Sequence, residues 1–224
     1  MELNSNVMSV LKNFAGINSN IVIQEGNVIK TMSEARNVIG SATLDQSFPQ
    51  TFGVYDLNEF LNVVNLVDSP RLRFEDNCVL IGDSTGRSTI KYFFTDTDML
   101  TKAPEKFNMP EAEVKLTLSN DVLNRIKRAA SALGHSELAI TPNHGSICLT
   151  VQDSENSTSN TFSIDVDGEY SSEKFCFICN ISNLKVLPGT YNVEISSKLI
   201  SKFSSEDGDI TYFIALEKSS TYGE

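Results

Sequence analysis

A strand-dominated α+β protein built as two similar halves is what this sequence predicts, and three observations carry the prediction. Amphipathic helical stripes recur along the 224 residues, each followed by several short strand-like runs. The spacing between stripes is roughly 50–60 residues, long enough for one helix and several strands. A charged, proline-bearing segment then interrupts the pattern near the middle of the chain.

The first stripe is Val7, Val10, Leu11 and Phe14, at i, i+3, i+4 and i+7, the spacing that puts side chains on one helical face. Strand-like runs follow at 21–23, 28–32, 38–44 and 51–55, with Gly26 and Gly40 near the bends. Asp56 then stands as an N-cap before a second stripe, Leu57, Phe60, Leu61 and Val64, which ends ahead of Pro70. Further strands are predicted at 71–75, 79–82 and 88–94, the last alternating Ile90, Tyr92 and Phe94 on one face. Residues 95–113 carry two prolines and many charges and read as a linker, although Leu100, Phe107 and Met109 are apolar.

The second half restarts with a strand at 114–118. Ser119 is the N-cap of a helix whose stripe reads Val122, Ile126, Ala129 and Leu133, closed by Gly134. Strands are predicted at 137–141, 146–152, 161–166, 173–179, 190–196 and 210–216, with a weak fourth helical stub at 180–187 and a turn at Pro188-Gly189. The division is therefore 1–98, a connector at 99–111, and 112–224, each half holding two helix-plus-strand units.

Composition limits the function. The formal net charge is −11, which opposes casual sticking to a phosphate backbone and places weight on where the cations sit. No apolar stretch approaches the ~20 residues of a membrane span, and the first residues lack a basic, then apolar, signal pattern; an intracellular protein is expected. The two cysteines of the CxxC at Cys176 and Cys179 lie three apart in a strand-like run and point to opposite faces, so buried thiols are expected instead of a metal site. His135 and His144 have no base or orienting partner, GDSTGRST is not a phosphate loop, and Asp165 and Asp167 alternate onto one strand face without a metal partner. No catalytic residue, metal or cofactor is expected.

The helical faces opposite the stripes are more informative. At about 100° per residue, Asn124, Lys127, Arg128 and Ser131 point away from the core with Arg125 at the flank; the first helix turns Ser9, Lys12, Asn13 and Gly16 outward. Lys12 and Lys127 take equivalent phases, each five residues after the first residue of its stripe. The second helix shows Asn58, Glu59 and Asn62 and has no cation; the stub offers Lys185. Without interleaved aromatics or a base-reading motif, such faces suit contact with a duplex backbone regardless of sequence.

Four segments, in order, resemble the replication sliding clamps of large tailed phages: VLKNFA at 10–15 followed by GINSNI, VYDLNEFLNVVNLV at 54–67, FCFICNISNLKVLPGTYNVEIS at 175–196, and YFIALEKSSTY at 212–222. The resemblance implies the DNA-clamp fold shared with the proliferating cell nuclear antigen and the bacterial β clamp. It implies two similar domains per chain, helices lining the inside of a homotrimeric ring and sheets outside. It further implies that the protein encircles duplex DNA and tethers the replicative DNA polymerase, is loaded by an ATP-dependent clamp loader, and serves late transcription factors with the host RNA polymerase in the cytoplasm of an infected bacterium.

On that resemblance Lys12, Arg125, Lys127, Arg128 and Lys185 are DNA-facing. A partner-peptide pocket draws on Val38, Ile39, Phe107, Met109, Phe213 and Leu216. Subunits join by edge strands through Ile90, Tyr92 and Phe94 of one chain and Phe162 and Ile164 of the next. The alternative is a non-enzymatic structural or assembly protein of a phage, built from the same repeated β-rich unit.

Overall fold

The computed structural model describes residues 1–83, 85–156, 158–171 and 174–223. Ser84 of the GDSTGRST stretch, Ser157 of the polar loop and Glu173, the predicted first residue of one strand, lie outside the described residues. Two compact units divide the chain, Met1–Glu105 and Lys106–Glu224.

The first unit opens with α1 (Ser5–Ile17). Asn4 caps it by accepting the Val7 N–H at 2.9 Å, and all four stripe residues are buried. Asn18 ends it; its amide donates to the Met32 carbonyl at 2.8 Å, satisfying a polar side chain that is itself buried. The order continues β1 (Ile21–Ile23), β2 (Gly26–Met32), β3 (Val38–Phe48), β4 (Phe52–Val54), α2 (Leu57–Asn65), β5 (Arg71–Phe74), β6 (Cys78–Gly82) and β7 (Thr89–Phe93). Asp56 caps α2 through the Glu59 N–H at 3.0 Å. β1 pairs with β4, β2 with β3, and β5, β6 and β7 form a three-stranded antiparallel sheet with β7 at one edge. Phe48, Phe52, Phe74 and Phe94 cluster at the end of that sheet, the Phe52 and Phe94 rings 4.8 Å apart. Gly53 sits under Thr95, where a Cβ would come within 2.4 Å of the Thr95 carbonyl oxygen.

The second unit contains β8 (Val114–Leu118), α3 (Asn120–Leu133), β9 (Glu137–Asn143), β10 (Ser146–Gln152), β11 (Phe162–Val166), β12 (Gly168–Tyr170), β13 (Phe175–Asn180), β14 (Tyr191–Ser196), β15 (Ile200–Ser205), β16 (Ile210–Ala215) and β17 (Thr221–Tyr222). One run of strands is ordered β12-β8-β14-β15-β16 and a second sheet β11-β10-β9-β13-β17, with β11 at its edge. Leu116, Leu138, Ile140, Leu149, Val193, Ile195 and Phe203 face a common interior, giving two sheets around one apolar core. Glu113 ties the start of β8 to the turn after β14: its carboxylate accepts the Ser197 hydroxyl at 2.6 Å and the Ser197 N–H at 2.7 Å. Burial pushes its pKa up, but those hydrogen bonds outweigh it and the net shift is downward.

Three sequence expectations are corrected. The fourth helix is only a 3-10 turn, Ile181–Asn183, opened by the Asn180 side chain on the Ser182 N–H at 3.0 Å. Asn180, Ser182 and Asn183 favour such local bonding over a helix, and Pro188 prevents extension. In α3 the buried residues are Leu123, Ile126 and Ala130, so the core face is rotated from the predicted stripe: Val122, Ala129 and Leu133 are half-buried flanks. Finally, β12, β15 and β17 were not expected. In β15 a buried serine, Ser201, holds a core position by donating to the Ile214 carbonyl at 2.9 Å, which breaks the apolar alternation.

Candidate nucleic-acid interface

The outward helix faces carry the candidate contacts. On α1, Ser9, Lys12 and Gly16 are exposed and Asn13 is half-buried. On α3, Asn124, Arg125, Arg128 and Ser131 are exposed, and Ser119 fixes the helix start by accepting the Val122 N–H at 3.3 Å. The Arg128 Nε donates to the Asn124 carbonyl at 3.4 Å, holding the guanidinium along the helix. Arg125 lies over the Phe162 ring, 5.8 Å from its centroid.

Lys127 departs from its predicted place. The rotation of α3 turns it toward the core, it is half-buried, and desolvation lowers its pKa. It is therefore not in the phase of the exposed Lys12. Lys185 is exposed but stands on the loop after the 3-10 turn, not on a helix. α2 exposes Asn58, Glu59 and Asn62 and no cation, as its sequence indicates. Within the second unit the fold thus gathers Arg125 and Arg128 on one helix face; Lys12 occupies the corresponding outward side of α1 in the first unit.

The expected pocket residues separate by environment. In the first unit Val38 is buried and Ile39 half-buried at the start of β3. In the second, Phe107 is 41% exposed and its ring packs 4.7 Å from that of Phe213, which is thereby reduced to 8% exposure. Met109 is half-buried. Leu216 is a correction: it lines the interior between the sheets with Leu116 and Phe203 instead of an outer pocket.

The expected interface residues sit on two edge strands. On β7 the burial alternates, with Ile90 and Tyr92 half-buried and Thr89, Lys91 and Phe93 exposed. Tyr92 packs edge-on against Phe60 of α2 at 5.2 Å, and burial, with Glu59 and Asp56 nearby, pushes its pKa to about 12. Phe94 lies just past β7 in the aromatic cluster of its own unit. On β11, Phe162 and Ile164 are half-buried on the face next to α3, while Ser163 and Asp165 are exposed.

No group of three or more metal-ligating side chains occurs among the described residues. The four cysteines are free thiols, and burial pushes Cys179 up to about 12, away from the reactive range. No helix among the described residues is long and apolar enough to cross a membrane.

Comparison with known proteins accounts for this arrangement. Residues 4–93 match the family described as DNA polymerase processivity factor, and residues 111–218 match the one described as gp45 sliding clamp, C terminal. The sliding clamp of Vibrio phage KVP40 is 35% identical over 223 residues, spanning 97% of this chain and 99% of that protein. The chain belongs to the phage sliding-clamp family. The sliding clamp of Enterobacteria phage T4 is 30% identical over 232 residues, with 99% of each chain covered. In fold, this clamp matches the Proliferating Cellular Nuclear Antigen of Entamoeba histolytica with a TM-score of 0.66 at 13% identity, over 94% of each chain. The strand-dominated α+β architecture is thus the clamp fold, and the clamp is a DNA polymerase processivity factor, not an enzyme.

Proposed function

We propose that this clamp closes as a homotrimeric ring around duplex DNA and tethers the phage replicative polymerase to it. In this reading α1 and α3 face the duplex, and Lys12, Arg125 and Arg128 make the contacts, with Lys185 and the half-buried Lys127 in supporting positions. The observation that carries the reading is the placement of exposed cations on outward helix faces in a chain of net charge −11. A closed ring retains DNA by topology, so few phosphate contacts suffice, and an acidic remainder keeps DNA from binding elsewhere.

The ring is opened and placed on DNA by an ATP-dependent loader, and polymerase or late-transcription partners dock by a short peptide beside Phe107, Met109 and Phe213, with Val38 and Ile39 contributing. Its place of action is the cytoplasm of the infected host. Subunits join by β-augmentation of β7 on β11: both are edge strands, and both turn a half-buried apolar row inward. Retention on circular against linear DNA, with loader and ATP, tests the mechanism. Loss from linear DNA with retention on circles is expected; equal retention on both refutes topological holding.

A further inference from the structure

The outward rows of the two edge strands have opposite charge. The exposed side of the three-stranded sheet carries Arg71 and Arg73 on β5 and Lys91 on β7, with Arg87 exposed in the preceding turn. The register places Arg73, Leu80 and Lys91 in one row across the sheet. Glu75 pairs with Arg73 at 3.4 Å. Lys91 makes no ion pair among the described residues and lies over the Phe93 ring, 4.8 Å from its centroid.

The exposed side of β11 shows Ser163 and Asp165, followed by exposed Asp167. The row running inward from Asp165 is Cys148 and Thr141, with no cation. The one side-chain partner of Asp165 among the described residues is the neutral Asn143 amide, at 3.0 Å.

We infer that Lys91 of one chain pairs with Asp165 of the next, so that charge on the outer rows selects head-to-tail joining of β7 with β11. The inference rests on the edge-strand reading given under Proposed function and assigns it a register. Every strand pairing described within the two units is antiparallel. In an antiparallel pair, residues directly opposite share a face. Setting Lys91 opposite Asp165 puts Thr89 against Asp167 and Phe93 against Ser163 outside. Inside, it puts Ile90 against Val166, Tyr92 against Ile164 and Phe94 against Phe162.

One register therefore satisfies both faces. The inner row supplies apolar burial and the outer row specificity, since β7 on β7 would set Lys91 against its own copy, and β11 on β11 would set Asp165 against its own copy. Two different complementary edges on one chain are what a heterologous, ring-closing interface requires.

Sedimentation velocity of the full-length chain at about 0.05 M and about 0.5 M salt tests this. Lys91→Glu should raise the subunit dissociation constant about tenfold at low salt, with a smaller effect at high salt. Adding Asp165→Lys to that variant should return it to within about threefold of wild type. An unchanged assembly in Lys91→Glu, or a double variant as dissociated as the single, overturns the pairing. Ile164→Arg and Ile90→Arg, each checked for folding by circular dichroism, separate the two levels. Assembly that survives both overturns the edge-strand reading itself. Assembly lost in both but indifferent to Lys91→Glu overturns only the charge pairing.

Discussion

Replacing Leu123 by alanine should destabilise the clamp several times more than replacing its neighbour Val122. The two side chains stand about 100° apart around α3, and only Leu123 is in the core, at 2% exposure. Its truncation removes about three methylene-sized groups at about 0.8 kcal/mol each, to which the cavity left beneath the helix adds. A loss of about 2–4 kcal/mol follows. Val122 is half-buried, and alanine gains about 0.5 kcal/mol of helix propensity over valine, so the net cost there should stay below about 1 kcal/mol. Urea unfolding at one fixed protein concentration reads the difference, provided the slopes agree. If Val122→Ala costs as much as Leu123→Ala, the helix is rotated otherwise than described. Lys127 would then stand as far from the core as Arg128, and the proposed DNA face would have to be redrawn to include it.

Three further outcomes are expected. Arg125→Ala with Arg128→Ala should flatten the dependence of DNA retention on salt by about 0.9 log unit for each phosphate left unneutralised; an unchanged slope removes these residues from the DNA face. Gly53→Ala should cost about 1–3 kcal/mol by forcing β4 from the Thr95 carbonyl, whereas Gly16→Ala, at an exposed position of α1 with open space at its Cβ, should stabilise by about 0.5–1 kcal/mol; thermal melts that rank the two the other way contradict the packing. Asp83 accepts hydrogen bonds from the Ser88 and Thr85 hydroxyls, which lower its pKa to about 2. A depressed pKa gives stability that is present above its unfolded value, near 4, and is lost as pH falls toward 2. The stability gap between wild type and Asp83→Asn should therefore hold steady above about pH 5 and close below about pH 4, and a gap unaffected by acid refutes that role.

Legibility in the sequence followed the strength of local signals. α1 and α2 were readable because each stripe has one dominant phase: Met8 in α1 and Val63 in α2 stand off it alone, and Val7, Val10, Leu11 and Phe14 are all buried as expected. α3 has two overlapping phases, Val122/Ile126/Ala129/Leu133 and Leu123/Ile126/Ala130, and periodicity alone does not rank them. The greater apolar area of leucine over valine favours the second. The fourth helix failed because apolar spacing at Ile181, Leu184 and Leu187 outweighed the asparagines and serine that prefer a capped turn. β15 was hidden because its core position at Ser201 is polar and satisfied only by a partner strand distant in sequence. The edge positions of β7 and β11 came from the family resemblance and not from the strands' own residues, because edge status belongs to sheet order.

Edge status also changes what the charge of this clamp means. Summed over the chain, −11 speaks against a nucleic-acid partner, yet a sum carries no positions. In the proposed reading, cations on the outward faces of α1 and α3 offer DNA a weak, screenable contact, which suits a protein that must slide. Among the described residues, the cations on the outer row beside β7 have one acid partner, Glu75 on Arg73, and the complement proposed for Lys91 stands on β11 of the same chain's other unit. A chain that carries both halves of a complementary pair on different units, and neither half opposite itself, is poorly suited to two-fold dimers and well suited to a closed cycle. In the proposed ring the acidic excess has two consequences: it weakens contact with DNA outside the helix faces, and through Asp165 and Asp167 it marks which edge the neighbouring subunit takes.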